Sequence, residues 1–230
     1  CDGERLAGAT FRLLDTEGKV VTPTEQNGIE GDIDGSGLIT VRGDGCADVR
    51  NIPAGSYSLR EIHVPVGYRI PSKDRAVKIT PGGGTELTVQ NDQVAAGIRV
   101  QKYDAETGKP KSQGGAVFEK ARFRVVALQD CKVDSVHYKT GDTVYDDLTL
   151  DKNGYAETPV NALTEGRYRL EETGAPAGYL IGDSVEFAIT KEDHGKRKDL
   201  TGGEVADPPI RGGVRIKKVD KDTKKTTPQG

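Results

Sequence analysis

Lys102, Glu172 and Asp207 each fall on the apolar parity of a strand-like segment, and together they carry the parts needed to make an amide bond. Successive side chains of a strand point to opposite faces, and residues two apart share one. Ile98, Val100 and Lys102 therefore line up on one face, with Arg99 and Gln101 on the other. Tyr168, Leu170 and Glu172 do the same, with Arg169 and Glu171 facing outward, and Val205 shares its face with Asp207. Leaving an ammonium and two carboxyl groups unpaired in one small core costs several kcal/mol, about the cost that a covalent link would remove. A deprotonated lysine amine can attack the side-chain carbonyl carbon of Asp207. A Glu172 kept protonated by burial polarises that carbonyl and shuttles protons. The product is neutral and suits a dry interior.

The segments that position these groups recur along the chain. Residues 97–114 (GIRVQKYDAETGKPKSQG) and 213–230 (GVRIKKVDKDTKKTTPQG) align without a gap, identical at eight of eighteen positions and starting 116 residues apart. Val214, Ile216 and Lys218 thus repeat the lysine strand. Residues 57–68 (YSLREIHVPVGY) match 168–179 (YRLEETGAPAGY) at six of twelve positions, which aligns Glu61 with Glu172. Leu87, Val89 and Asn91 alternate as Val205 and Asp207 do, so Asn91 takes the place of the acceptor. Such spacing is the mark of a tandem array. Between these anchors lie strand-like runs bounded by turn residues: TFRLLD before TEGK, LITVR before GDG, AVKIT before PGGG, and in the second unit FRVVAL, TVYDDLTL and VEFAIT. No long segment sustains a helical apolar period.

A first strand of the form I-x-V-x-K-x-D-x-x-T-G and a later YxLxET-x-AP-x-GY box resemble the Cna-B or SpaA-like domains of Gram-positive surface proteins, pilin subunits and adhesin stalks. The resemblance implies an all-β chain of tandem transthyretin-like, Ig-related β-sandwiches. It also implies a self-formed Lys to Asp or Lys to Asn isopeptide bond assisted by Glu. It covers essentially the whole chain: residues 1–94 as a sandwich lacking its first, lysine-bearing strand, 95–211 as a complete one, and 212–230 as the opening strand of a further repeat. The catalytic carboxyls are then Glu172 and Glu61. The crosslinking residues are Lys102 with Asp207, Asn91 in the first unit, and Lys218 as an unpaired half whose partners would lie beyond the 230 residues. The first unit's lysine strand would lie before Cys1, so its bond is not expected within this sequence. An extracellular, wall-attached location on a Gram-positive cell follows from the resemblance alone.

Composition agrees with two β-rich domains. The chain of 230 residues suits two cores of ordinary size, and its 30 Gly and 11 Pro make it turn-rich without reaching the range of disorder. A net charge of -3 with both signs interspersed gives no footprint for nucleic acid or an anionic membrane. No apolar span or signal peptide is present, and the sequence reads as an excised fragment whose targeting signals sit elsewhere. Cys1, Cys46 and Cys131 are odd in number and widely spaced; they read as free thiols, with a Cys1 to Cys46 bridge as the alternative. The connectors, residues 94–97 and the Pro-containing 208–212, read as short, semi-rigid joints.

Other chemistry finds little footing. His63, His137 and His194 lack metal-ligand spacing, no phosphate loop or G-x-S-x-G is present, and no metal or cofactor is expected. Residues 32–39 (DIDGSGLI) open like an EF-hand loop, but position twelve is Gly43 instead of a bidentate Glu, so a hairpin turn is the better reading than calcium. The function expected is that of a structural stalk or adhesin segment, with neighbouring repeats of the same protein as partners. The alternative is a module that binds a host extracellular protein or glycan through residues 129–147 or 26–37. Tyr138 and Tyr145 are the aromatic residues in the first of these loops.

Overall fold

The computed structural model describes residues 5–119, 121–219 and 221–222. Cys1, and with it the suggested bridge to Cys46, lies outside the described residues, as do 220 and 223–230 of the last repeat copy.

The first unit contains β1 (Thr10–Leu14), β2 (Glu30–Gly31), β3 (Leu38–Thr40), β4 (Val49–Arg50), β5 (Gly55–His63) and β6 (Arg75–Ile79). Four of these form an antiparallel sheet in the order β3-β1-β5-β6. The alternation in TFRLL sends Phe11 and Leu13 into a core with Ala9, Ile39 and Val77. The short β2 and β4 pair with each other.

The second unit contains β7 (Ala95–Gln101), β8 (Tyr103–Asp104), β9 (Arg122–Ala127), β10 (Cys131–Val133), β11 (Val136–Tyr138), β12 (Thr143–Thr149), β13 (Tyr155–Glu157), β14 (Leu163–Thr164), β15 (Gly166–Gly174), β16 (Val185–Ile189), β17 (Arg197–Leu200) and β18 (Ala206–Asp207). One sheet runs β12-β9-β15-β16; the other places β7 between β13 and β14, with β17 beside it in parallel and β18 continuing the parallel pairing along β8. Ile98 and Val100 from one sheet meet Phe123, Val125, Tyr168 and Leu170 from the other in a single apolar core, as two-layer β packing requires. The architecture is all-β, with one turn of 3-10 helix, Lys191–Asp193, among the described residues. None of these is a helix long and apolar enough to cross a membrane.

The two units are tied together internally by the same bonds. Tyr57 donates its hydroxyl to the carbonyl of Pro53 at 2.8 Å, and Tyr168 to that of Thr164 at 2.9 Å. Tyr68 bridges Gln93 as Tyr179 bridges Pro209. Val94 N donates to Gly67 O at 2.7 Å, and Ile210 N to Gly178 O at 2.8 Å. In both units the proline box therefore grips the closing segment just after its acceptor residue, Asn91 or Asp207.

Residues 94–97, read as a short semi-rigid connector, run straight into the second unit: β7 begins at Ala95, and Val94, Ala96 and Gly97 are buried. The reason is pairing, since Ala95 and Ala96 lie opposite Thr164 and Leu163. Across this junction Gly67 N donates to Glu165 Oε2 at 2.9 Å and Gln93 Nε2 to Lys132 O at 2.9 Å. Leu87, expected to face inward, is 40% exposed, and residues 83–92 join no strand. The corresponding end of the second unit is paired to β7 and β8, and no counterpart of β7 is available within residues 5–94.

Candidate crosslinking site

Lys102 occupies the step between β7 and β8. Its own N–H goes to Gly154 O at 3.1 Å on one edge and that of Tyr103 to Val205 O at 2.9 Å on the other, so the backbone is held from both sides here. Beyond the step, β8 and β18 run parallel with Asp104 opposite Asp207. Glu172 comes from the other sheet, on the central strand β15 and in register with Phe123 of β9. The site therefore lies between the layers, where the first, last and central strands of the unit converge.

The three side chains are 1%, 2% and 0% exposed for Lys102, Glu172 and Asp207. Lys102 Nζ donates directly to Asp207 Oδ1 and lies 2.9 Å from Glu172 Oε1, with the Phe123 ring centroid 5.1 Å away. Glu172 Oε2 accepts the Gly182 N–H at 3.1 Å. Glu172 Oε1 and Asp207 Oδ2 are buried without a hydrogen-bond donor; the approach of Nζ to Oε1 is close but off the hydrogen-bond direction. Burial, and next the neighbouring Asp207, push the Glu172 carboxyl up to about 7 against the opposing effect of the Lys102 ammonium. A proton held by Glu172 and offered to Asp207 answers the unsatisfied oxygens.

Two residues that strand parity could not single out shape this site. A side chain at Gly182 would run into Ala206 O and put its Cβ 2.6 Å from Asp207 Oδ1, so the close approach of this backbone to β18 needs glycine. Asp104 is fully buried, yet its carboxylate accepts hydrogen bonds from Tyr179 Oη at 2.7 Å, Thr107 N at 2.7 Å, Glu106 N at 3.0 Å and Gln113 Nε2 at 3.1 Å. Burial alone would raise its pKa, but these donors outweigh it and hold the carboxyl down at about 2. The D-x-x-T-G spacing is an Asx-type turn and was the available signal for Asp104. Gly182 left no signal in the sequence.

In the first unit Glu61 and Asn91 meet in the same relation. Glu61 lies opposite Phe11 as Glu172 lies opposite Phe123. Asn91 Nδ2 donates to Glu61 Oε2 at 2.7 Å and to Arg69 O at 3.1 Å, while Glu61 Oε1 is buried without a partner. Burial raises the Glu61 pKa, moderated by the Asn91 bond. Lys218 is exposed and joins neither set.

The EF-hand-like opening folds as a hairpin turn. Asp32 pairs with Arg42, which also binds Asp44 and Asp48, and Asp34 Oδ1 takes Ser36 N, Ser36 Oγ and Leu38 N at 2.7 to 3.0 Å. Cys46 and Cys131 are free thiols. His194 Nδ1 accepts the Ala95 N–H at 3.2 Å. Among the described residues no three His, Cys, Asp or Glu side chains are grouped as metal ligands would be.

A family model described as the SpaA prealbumin-like fold domain matches residues 1–93 and again 96–203. The chain belongs to the SpaA family. Among solved structures, these SpaA units resemble the Bacillus anthracis TIE protein with a TM-score of 0.62 and 23% identity, over 91% of this chain and 32% of that one. The chain thus spans about a third of that protein's length, and the likeness is one of fold. A minor pilin of Streptococcus agalactiae matches at 14% identity over 94% of this chain and 89% of its own, with a TM-score of 0.37. The shaft pilin SpaA of Lactobacillus rhamnosus GG matches at 17% over 92% and 90%, with a TM-score of 0.31. No curated protein gives a match.

Proposed function

We propose that this chain is a structural segment of a Gram-positive surface protein, a pilus or adhesin stalk, whose second unit closes itself with an amide between Lys102 and Asp207. Membership of the SpaA family supports the structural role, and the burial of Lys102, Glu172 and Asp207 in mutual contact carries the chemistry.

The reaction proceeds within the folded unit. The deprotonated Lys102 nitrogen attacks Cγ of Asp207, and protonated Glu172 hydrogen-bonds to the carboxyl oxygen on which negative charge develops. Glu172 delivers its proton to the departing hydroxyl and then takes one from the nitrogen, so one water leaves and Glu172 is restored. Each chain turns over once, and no substrate is consumed; this is maturation and not enzymatic activity. Two buried charges disappear, and with them the burden of keeping them dry.

The benefit is mechanical and kinetic. The link closes a ring spanning 105 residue steps, which by analogy with a disulfide destabilises the unfolded chain by roughly 4 to 5 kcal/mol. Reductants do not touch it. A stalk outside the cell, exposed to tension and proteases, depends on slow unfolding.

The loop-borne alternative gains no specific support, because Tyr145 packs against the second core instead of standing free on the insertion. Intact mass spectrometry tests the proposal: folded chain lighter by one water than its sequence, and full mass for Lys102→Ala and Glu172→Ala. Full mass in folded, unsubstituted chain would overturn it.

A further inference from the structure

The β10–β11 hairpin of the second unit is a ribbon of two strands joined by Asp134 and Ser135, both at positive φ (47° and 70°), as a tight two-residue hairpin turn demands. With a turn of that length the flanking pair Val133 and Val136 exchanges ladder bonds, and so does Cys131 with Tyr138. The intervening backbone groups of Lys132 therefore point to the outer edge of β10. Strand edges are adhesive, and proteins cover them. Here the cover comes from the first unit, since Gln93 Nε2 donates to Lys132 O at 2.9 Å.

Three valines mark the same place. Val94, Val64 and Val133 are 0%, 2% and 7% exposed, and none of them belongs to the apolar core of either unit. Val94 follows Gln93, Val133 follows Lys132, and Val64 stands shortly before Gly67. The Gly67 N–H goes to Glu165 Oε2 at 2.9 Å, and its carbonyl accepts the Val94 N–H at 2.7 Å. A two-stranded ribbon has no interior of its own in which to bury Val133, and Val136, opposite it, is half exposed. The chain crossing the junction is gripped on both sides: Ala95 lies opposite Thr164 of β14, donates its N–H to His194 Nδ1 at 3.2 Å and accepts the Gly195 N–H at 2.8 Å. β10 in turn lies against β14.

We propose that the β10–β11 hairpin is a brace for the preceding unit, in which Val133 packs with Val94 and Val64 in an apolar seam closed by the Gln93 and Glu165 hydrogen bonds. The seam takes in the two parts of the first unit that hold each other, the proline box through Gly67 and the closing segment through Gln93 and Val94. That end of the first unit then opens only by detaching from the second, so the two units share one orientation and the first draws stability from the second. The edge of β10 has its partner within the chain, turned toward the first unit instead of toward a ligand. The brace needs no crosslink and acts whether or not Lys102 and Asp207 are joined.

Native-state hydrogen exchange on the 230-residue chain tests this, because substitutions made in the second unit are read in the first. The reporters are the amides of Arg69, bonded to Asp92 O at 2.9 Å, and of Val94. Val133→Ser and Glu165→Ala are each expected to lower their protection by about threefold to tenfold while β9 and β15 keep theirs. Glu165→Gln, which still offers an oxygen to the Gly67 N–H, retains it. Gln93→Ala combined with Val133→Ser costs less than the two separate losses multiplied together, as neighbours in one seam require. Residual dipolar couplings from the two units fit one common alignment in the unsubstituted chain and two in Val133→Ser. Protection losses confined to the second unit overturn the brace, as do separate alignments in the unsubstituted chain. If Val133→Ser does not fold, Glu165→Ala and Gln93→Ala decide the matter by the same two readouts.

Discussion

Asp104 and Asp207 face each other across the parallel strands β8 and β18, yet one carboxylate is saturated with donors and the other has an oxygen with none. A hydrogen-bonded carboxylate is a poor electrophile, since those donors stabilise its ionised form. Peptide mapping of the mature chain should therefore find Lys102 joined to Asp207 and never to Asp104. Tyr179→Phe, which removes one charged hydrogen bond from Asp104, is expected to cost about 1.5 to 3 kcal/mol in chemical denaturation. Because the Asp104 pKa is depressed, this stabilisation is present above the ordinary carboxylate range near 3.8 and is lost as pH falls through about 2.

Bond formation should depend on the protonation of Glu172. Its carboxyl titrates at about 7 in the folded, unlinked unit, against 4.5 for a free side chain, so the acid form that the reaction needs is depleted as pH rises through about 7. Linkage acts in the same direction on the unlinked fold: its stability from this group is full below 4.5 and is lost as pH climbs through about 7. Chain collected unreacted in denaturant and refolded across this interval should lose water progressively more slowly toward the alkaline end. Glu172→Gln, which cannot shuttle the proton, should stay at full mass across the whole interval.

Gly182→Ala should slow or abolish the link with only a modest change in fold. The added methyl meets Ala206 O and Asp207 Oδ1, so β18 must retreat from Lys102. Time-resolved mass spectrometry reads the loss, and circular dichroism checks that the sheet persists. An unchanged rate would show that the strand yields without cost.

Removing the link should lower unfolding free energy by roughly 4 to 5 kcal/mol from the chain-entropy effect alone. Glu172→Gln serves as the unlinked reference because it keeps the size of the side chain. Proteolysis under reducing conditions should separate the two forms, with the linked second unit outlasting the first.

Calcium should leave the melting temperature unchanged. Asp32 is neutralised by Arg42 and Asp34 is engaged by its own turn, so neither presents a free oxygen pair to a cation. A calcium-dependent rise in calorimetry would contradict this.

Alternation reports which face a side chain takes, and Lys102, Glu172, Glu61 and Asp207 are buried as their parity implies, whereas Asn91 lies outside any strand and is only partly buried. Alternation was silent on Asp104 and Gly182, whose roles depend on contacts with segments 75 and 25 residues away. It placed Leu87 inward by pattern, where burial requires a neighbouring strand that the local pattern does not reveal.

The parallel pairing of β7 with β17, and of β8 with β18, decides how a pulling force is met. A tug arriving from Gln93 draws β7 backward, and a tug leaving through Pro208 draws β18 forward, so neighbouring strands are asked to slide lengthwise past each other. All the rungs between them are then strained at once instead of peeling one by one. With Lys102 and Asp207 set within that sliding seam, their union would make the seam inextensible and let traction bypass the core.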